Sequence, residues 1–536
     1  MKKIAIINTK IVDGTKKAAY QGHVLIDGER IERIYSLDDK SVFEQEAIIQ
    51  FIDGSPYVLT PGFIDPHSHS DLEILVNPIL EPKIRQGITT EVLGQDGIAM
   101  APLPLSYIED WRKNIAGLEG DSDEIDWTYQ TVDGYLNAIK KAEPTSNCAY
   151  LIPHGNVRMT AMGLVNANPT VDQMEHMKTI VREAMEIGCV GLSSGLIYIP
   201  CAYGLEEELI QLCKIVAEYD GVFVVHQRSE ANSILESMDE IIRIGLSSGV
   251  HIHFSHFKIC GKNNWHLLEQ VLKKLDEAQE KGLTVSFDQY PYTAGSTMLG
   301  VILPPWAHVG GTNKMLERLH DSTIREQLKV DLYEKNSNWD NFIEFAGTSG
   351  IYITSVKTVK NQHVIGKNLD DLGVIRGKDP LDAAFDLLIE ENNHVGMIDF
   401  YGSEEHIKTF ICRNEMTVCT DGLLGGKPHP RAYGSFPRII SEYVNKDRLI
   451  SLEEAVYKMT YNTAKLLGLK DRGLIKEGAY ADLLLFDEKE FKDTGTYLEP
   501  DQFPTGLRMV MVNGHIVFDG ENYHIKPSGK VLSIEC

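Results

Sequence analysis

Short apolar runs alternate with amphipathic helical segments through the middle of this chain, and no other feature constrains its fold as strongly. Clear runs lie at 89–93, 222–225, 250–254 and 415–420. Strands buried on both faces read as continuous apolar runs, because helices cover a parallel sheet on both sides. The pattern therefore predicts an α/β fold, a (β/α)8 TIM barrel. The runs at 284–288 and 395–400 compete for its seventh strand, and the sequence does not decide between them.

Two histidines, His67 and His69, follow the apolar run that begins after Pro61 and Gly62. Residues i and i+2 of a strand point to the same side, so both imidazoles can reach one metal ion. A pair of surface histidines would give the same pattern, so the motif gains weight only from residues further along the chain. Four such residues of metal-binding type stand at the ends of other runs: Asp96, His226, His256 and Asp421.

A parallel barrel places its functional residues at the carboxyl ends of its strands. Taken alone, each of the six candidates has a structural alternative, either a hydrogen-bonded core histidine or a helix-capping aspartate. Their shared position at carboxyl ends predicts a metal site.

Several blocks of the sequence, taken in order, resemble one known family. They are 61–71, 87–90 with 94–97, 191–198, 226–230, 255–258, 288–296, 420–422 and 427–438, with a tail at 471–483 and 512–514. In these blocks the chain resembles the amidohydrolase superfamily and, within it, the D-aminoacylase (N-acyl-D-amino-acid deacylase) family. The resemblance implies a metal-dependent hydrolase that cleaves N-acyl-D-amino acids to a carboxylate and a free D-amino acid.

The resemblance also implies roles for individual residues. His67, His69, His226 and His256 become ligands of zinc, and Asp421 becomes the catalytic carboxylate that also contacts the metal. Zinc with an open coordination position lowers the pKa of bound water to about 7 and polarises a carbonyl. Asp421 would accept a proton from the attacking water and return it to the leaving nitrogen.

Asp96 departs from the family pattern, which usually has a cysteine at this position. A hard oxygen ligand replaces a thiolate there, which makes manganese or cobalt more acceptable beside zinc. Other amidohydrolases bridge two metals with a carboxylated lysine or a glutamate from the fourth strand, but the stretch 189–200 contains neither. Asp96 is the only obvious bridging group, and the sequence leaves open whether one ion binds or two.

By the same resemblance, five residues bind the substrate carboxylate or lie beside it: Tyr198, Lys258, Tyr290, Ser296 and Arg431. An arginine can grip a carboxylate with two parallel hydrogen bonds, and a lysine adds a point charge. The alternative for Arg431 is a surface salt bridge, and the alternative for Tyr290 is simple packing. His154, at the end of another candidate strand, is interpreted as structural.

The formal net charge of −25 over 536 residues argues against nucleic acid and anionic membranes as partners. A small anionic substrate would need a local positive pocket, which Lys258 and Arg431 can form. The N-terminal apolar stretch is too short for a signal peptide, and no run reaches the ~20 apolar residues of a membrane span. Eight cysteines without a close-spaced pair predict free thiols in the reducing cytoplasm. A homo-oligomer is compatible with the sequence.

The two ends of the chain differ from its middle. Residues 1–60 and 476–536 alternate apolar and polar positions between turn signals, among them the hairpin turn Asn513-Gly514. We predict that both ends form one small β-sandwich domain beside a barrel of residues 61–475. A helical stretch at about 297–347 fits no barrel repeat and is predicted to be an insertion, either a lid over the site or a packed surface subdomain.

Two other functions remain as alternatives. A cyclic amidase of dihydroorotase or hydantoinase type belongs to the same superfamily, but it usually has the carboxylated lysine that the fourth strand lacks. A non-catalytic scaffold that kept the fold is disfavoured by the presence of Asp421 together with all four histidines.

Overall fold

Eight parallel strands form the central barrel of the computed structural model, as the sequence predicts. The structure describes residues 3–44, 49–524 and 527–534; the remaining residues of the two predicted end segments lie outside the described residues. In chain order the barrel strands are Phe63–Asp65, Ile88–Leu93, Asn147–Pro153, Gly191–Gly195, Val222–His226, His251–Phe254, Val285–Gln289 and Met416–Val418.

The seventh barrel strand is Val285–Gln289, which resolves the choice that the sequence left open. It pairs in parallel with the sixth strand on one side and with the eighth on the other. The competing run forms the strand Val395–Phe400, which pairs antiparallel with Ala294–Met298 and with Ile351–Val356. Two antiparallel neighbours place this run outside a parallel barrel.

Helices cover the outside of the barrel, which explains why its strands are apolar and buried along their length. The helix Glu206–Glu218, with three acidic residues in its first turn and an apolar buried face, agrees with the amphipathic pattern of the sequence. These helices are Ile108–Ile115, Val132–Ala142, His154–Met162, Val171–Glu186, Glu206–Glu218, Ile234–Ser248, Leu268–Glu280, Arg431–Arg438, Leu452–Met459 and Tyr461–Leu466.

The chain between the seventh and eighth strands, residues 290–415, has its own apolar core. It contains the three antiparallel strands described above, and the predicted insertion at about 297–347 lies within it. The sequence analysis marked only the helical part of this segment as an insertion, because the run at 395–400 competed for a place in the barrel. Its helices are Thr312–His320, Ser322–Tyr333, Phe342–Ala346, Leu369–Arg376, Pro380–Glu390 and Glu404–Ile411.

Both ends of the chain contribute to one eight-stranded sheet beside the barrel, as predicted. Val58–Pro61 pairs antiparallel with Leu483–Phe486, which joins the two ends. Asn513 and Gly514 have positive φ and form the predicted tight turn. No helix among the described residues is both long and apolar enough to cross a membrane. The strands of this sheet are Lys3–Ile11, Tyr20–Asp27, Arg30–Ser36, Ile49–Asp53, Val58–Pro61, Leu483–Phe486, Leu507–Val512 and His515–Phe518.

Buried side chains join the first barrel strand to the eighth. The Asp65 carboxylate accepts hydrogen bonds from the N–H of Thr420, at 2.9 Å, and from its hydroxyl. The ammonium group of the fully buried Lys83 donates to Asp65 at 2.9 Å and to Thr420 at 2.7 Å. Nearby, the N–H of Asp421 donates to the carbonyl of His67 at 2.9 Å. These contacts hold the candidate site residues that follow the first barrel strand in register with the one that follows the eighth.

We predict that Lys83→Met lowers the free energy of unfolding by about 3–5 kcal/mol, because it leaves the buried Asp65 carboxylate without its cation. Urea denaturation followed by circular dichroism measures the change. The matched control is Lys178→Met on a helix surface, where Lys178 pairs with Glu175 and such a pair contributes about 0–1 kcal/mol. Equal stability of the two variants would contradict the role of Lys83 in joining the first barrel strand to the eighth.

Candidate metal centre

The six candidate ligands meet at the carboxyl ends of the barrel strands, and none of them is more than 6% exposed. Five of the eight strands carry a ligand at their carboxyl end or within four residues of it. The residues are His67 and His69 after the first strand, Asp96 after the second, His226 at the end of the fifth, His256 after the sixth and Asp421 after the eighth.

Asp96 lies at the centre of this group. Its Oδ1 atom is 3.8 Å from the Nε2 atoms of both His67 and His256, and its Oδ2 atom is 3.6 Å from Nε2 of His69. Two ligand atoms of one tetrahedral zinc, each about 2.0–2.1 Å from the ion, lie about 3.3 Å apart. The observed separations are close to that value. The Asp96 carboxylate thus lies near His67 and His69, which follow the first strand, and near His256, which follows the sixth.

The other ligand atoms form a group on each side of Asp96. Oδ1 of Asp421 is 3.6 Å from Nε2 of His67 and 3.3 Å from Nε2 of His69. On the other side, Nδ1 of His226 and Nε2 of His256 are 2.9 Å apart. The arrangement offers two overlapping sets of ligands, which share Asp96.

Several buried atoms in the group lack a hydrogen-bond partner among the described residues. They are both ring nitrogens of His67, Nε2 of His69, Oδ1 of Asp96 and Nε2 of His226. Leaving a buried polar atom unsatisfied costs about 1–3 kcal/mol. A divalent cation would satisfy such atoms together, and imidazole with carboxylate is a donor set that zinc and its neighbours accept. The residues present therefore fit a divalent metal ion.

Two of the ligands, His226 and Asp96, have the deprotonated state that metal binding requires, whereas neighbouring carboxylates raise the pKa values of His69 and His256 although burial alone would lower them. Burial lowers the pKa of His226 to about 4, so its ring is neutral at pH 7. Burial alone would raise the pKa of the Asp96 carboxyl, but the nearby His256 and His69 hold it well below its usual range.

Three of the six candidates have a left-handed backbone. The φ angle is +55° at Asp96, +35° at His256 and +46° at Asp421. This conformation costs a non-glycine residue about 1–3 kcal/mol and persists only where the surroundings enforce it. At Asp96 the enforcement comes from Ser193 of the fourth strand, whose hydroxyl accepts from the N–H of Gly97 at 3.0 Å.

Carboxylates behind the histidines orient their rings. Oε1 of Glu119 is 2.7 Å from Nδ1 of His69. Oδ2 of Asp288 is 3.7 Å from Nδ1 of His67, and its Oδ1 accepts from the N–H of His256 at 2.7 Å. A hydrogen-bonded carboxylate such as Glu119 fixes the tautomer of a metal-binding histidine. Sequence reasoning missed Glu119 because it lies in an irregular stretch with no strand before it.

Glu230 is a further site residue to which the sequence analysis gave no role. Its Oε1 atom is 3.3 Å from Nδ1 of His256, and its Oε2 atom is 3.8 Å from Nε2 of His226. Oε2 also pairs with Nζ of Lys258 at 2.8 Å. The available signal was its position four residues after His226, in the same block of sequence.

The five predicted substrate residues line the same pocket as four of the candidate ligands, Asp96, His226, His256 and Asp421. The hydroxyl of Tyr198 lies 3.0 Å from that of Thr297, and the hydroxyl of Tyr290 bonds to that of Tyr401. By contrast His154 lies outside the pocket, where it bonds to Ser194 and Glu208, in line with its structural interpretation. The residues in the pocket are Tyr198, Lys258, Tyr290, Ser296 and Arg431.

Arg431 is 1% exposed, which excludes the surface salt bridge considered as its alternative. Its Nη1 atom pairs with Oδ2 of Asp421 at 2.8 Å, and its Nη2 atom donates to the carbonyl of Ser296 at 2.9 Å. Its Nε atom has no partner among the described residues. Burial alone would raise the pKa of the Asp421 carboxyl, but Arg431 and His67 hold it well below its usual range.

A larger cavity of about 420 Å³ opens beside the metal pocket. The two share Ile197, Tyr198, Asp340 and Phe342 along their common wall. Most of the other residues that line the larger cavity are apolar or aromatic, so it offers room for an apolar group next to the metal centre.

The family model described as the amidohydrolase family matches residues 50–301 and 415–518. The unmatched stretch between these ranges lies within the segment that separates the seventh and eighth barrel strands.

Relatives of known name match almost the whole chain. D-aminoacylase of Alcaligenes xylosoxydans xylosoxydans is 30% identical over 531 residues, which cover 98% of this chain and 96% of that protein. N-acyl-D-glutamate deacylase of the same organism is 30% identical over 512 residues, which cover 95% and 92%. A crystal structure of N-acyl-D-glutamate deacylase from Bordetella bronchiseptica, complexed with zinc and a phosphonate mimic of the tetrahedral intermediate, has a TM-score of 0.82 at 30% identity and covers 99% of this chain and 100% of that one.

Proposed function

Because the chain belongs to the amidohydrolase family, and within it to the D-aminoacylase branch, we propose that it hydrolyses N-acyl-D-amino acids to a carboxylate and a free D-amino acid. The observation that carries the proposal is the buried group of four histidines and two aspartates beside a buried arginine. The relative whose crystal structure contains zinc and a phosphonate inhibitor supports the same chemistry.

We place a divalent metal, zinc first, among His67, His69, Asp96, His226 and His256, with Asp421 at its edge. When bound there, such an ion lowers the pKa of a bound water to about 7 and polarises the scissile carbonyl. The carboxylate of Asp96 supplies hard oxygen atoms, which makes manganese or cobalt acceptable as well. Its two oxygen atoms lie near histidines of both groups, an arrangement that can serve one ion or two.

Asp421 moves the proton in this scheme. Its carboxylate is ionised at neutral pH, because Arg431 and His67 lower its pKa. It can therefore accept a proton from the attacking water and return that proton to the leaving nitrogen. The side chains of Asp421 and Arg431 are buried, which strengthens the charge interaction between them.

Arg431 and Lys258 supply the positive charge that an anionic substrate needs in a chain of net charge −25. One edge of the Arg431 guanidinium pairs with Asp421, and its Nε–H remains as a donor for the substrate carboxylate. Lys258 lies between Glu230 and His256 at the opposite side of the ligand group. Tyr198, Tyr290 and Ser296 complete the proposed binding surface.

The cyclic amidase stays the second candidate in the same superfamily. The fourth barrel strand reads Gly-Leu-Ser-Ser-Gly and offers neither the lysine nor the glutamate that usually bridges metals in such enzymes. We therefore favour the linear amide. We further propose a reducing, cytoplasmic location, because the described cysteines are free thiols and most of them are buried.

We predict that Asp96→Ala loses bound metal, whereas Asp96→Cys retains zinc because it supplies the thiolate usual in the family. The double variant His226→Ala with His256→Ala should also lose metal. Elemental analysis after exhaustive dialysis measures the content, with the exposed His176→Ala as the control. If Asp96→Ala binds metal as well as wild type does, Asp96 is not a ligand.

We predict that the metal-reconstituted enzyme hydrolyses N-acetyl-D-amino acids and leaves their L-enantiomers intact. Asp421→Asn keeps the size of the side chain but cannot accept the proton, so kcat should fall by about 10²–10⁴-fold. A ninhydrin assay of the released amine measures both, and metal content with circular dichroism serves as the control. Near-normal turnover by the folded, metal-loaded variant would refute the role of Asp421.

We predict that Arg431→Met lowers kcat/KM on N-acetyl-D-amino acids by about 30-fold or more, because a buried charge pair loses one partner. The loss should be much smaller on the corresponding carboxamides, which carry no negative charge. Arg438→Met on the same helix, where Arg438 pairs with Asp493, is the matched control. An equal loss on acids and carboxamides would mean that Arg431 supports Asp421 and does not recognise the carboxylate.

A further inference from the structure

Asp399 is a carboxylate in the metal pocket to which the mechanism gives no role. It lies on the strand Val395–Phe400 and is 1% exposed, and its Oδ2 atom has no hydrogen-bond partner among the described residues. Its antiparallel partner is Gly295, where an added side chain would collide with Tyr401 at 2.7 Å. Because position 295 has no side chain, the face that carries Asp399 and Tyr401 is open to the pocket that both of them line.

The cations of the pocket already have carboxylate partners. Lys258 pairs with Glu230 at 2.8 Å, and Arg431 pairs with Asp421 at 2.8 Å. Within the described part of the chain, no lysine or arginine lies within 4.0 Å of the Asp399 carboxylate. Burial raises the pKa of Asp399 to about 7 although Lys258 and Arg431 act to lower it, so these two cations do not offset the cost of burying this carboxylate. A bound cation would remove that cost.

Asp340 is a second carboxylate of this kind in the same pocket. It accepts hydrogen bonds from the hydroxyl of Ser229 at 2.6 Å and from the N–H of Glu230 at 2.8 Å, and both of these donors are neutral. Asp340 and Asp399 both come from residues 302–414, the part of the segment between the seventh and eighth strands that the family model does not match. This wall of the pocket therefore favours a positive group on the ligand and disfavours a negative one.

We propose that Asp399 selects N-acyl-D-amino acids whose side chain ends in an ammonium or guanidinium group, as in lysine and arginine. The inference rests on the proposed function, since it names the substrate class of the same site. The substrate carboxylate lies at Arg431, and the side-chain cation lies at Asp399, so each charge meets its opposite. Phe342, Phe345 and Tyr401 line the pocket and offer aromatic surface to the methylene chain and its charged end.

The test compares N-acetyl-D-lysine with N-acetyl-D-norleucine, which has a similar chain length and no charge. The quantity measured is the ratio of kcat/KM for the lysine substrate to that for the norleucine substrate, in the metal-reconstituted protein. We expect a wild-type ratio of at least about ten, because a hydrogen bond to a charged group discriminates by about this factor or more. Asp399→Asn, which keeps the shape and removes the charge, should lower this ratio at least tenfold.

Asp371→Asn is the matched control, because it removes the same charge from an exposed position of the same segment. Its ratio should equal that of wild type. Equal kcat/KM of the wild-type enzyme on N-acetyl-D-norleucine and on the lysine substrate overturns the inference and leaves the proposed function intact. An unchanged ratio in Asp399→Asn has the same consequence. A wild-type enzyme that hydrolyses neither substrate, nor any other N-acetyl-D-amino acid, overturns both.

Discussion

The buried contact among Asp65, Lys83 and Thr420 is the constraint on which the metal centre depends. It ties the first barrel strand to the eighth, and these strands deliver His67 with His69 and Asp421 respectively. A barrel left open at this seam would separate the proposed proton carrier from two proposed ligands. The contact is itself a buried ion pair, whose desolvation is repaid only by good geometry and several hydrogen bonds. Closure of the barrel and assembly of the metal centre therefore depend on the same few side chains.

The metal centre concentrates features that cost stability. One pocket contains three residues with a left-handed backbone, Asp96, His256 and Asp421. It also contains imidazole nitrogens that lack a hydrogen-bond partner among the described residues. Rigid strands beneath the site hold these residues in place, and a cation that satisfies the ligand atoms would recover part of the cost by binding the folded state. We therefore expect the protein to be more stable with metal than without it. The same reasoning applies to Asp399, whose buried carboxylate a cationic substrate would satisfy.

The sequence by itself determined the barrel, the residues at the carboxyl ends of the barrel strands, and the β domain built from both ends of the chain. Continuous apolar runs identified buried parallel strands, and a residue that directly follows such a run lies at the carboxyl edge. His226 could be placed in this way, because period and position are local properties of a strand. The resemblance to a known family added Arg431 to the site that already contained Asp421, although ten residues separate the two in the chain.

Only the tertiary structure decided which run became the seventh strand, because the runs at 284–288 and 395–400 both have the length and pattern of a barrel strand and are distinguished by their pairing partners. It also brought Glu119, Glu230 and Asp399 to the pocket. Glu119 comes from an irregular stretch and Asp399 from an antiparallel strand, where local pattern does not indicate that a residue will reach the site. A single charged residue forms no periodic pattern in the sequence. Its role depends on whether a group of opposite charge lies near it in the folded chain. That proximity arises from contacts distant in sequence, which only the folded chain brings together.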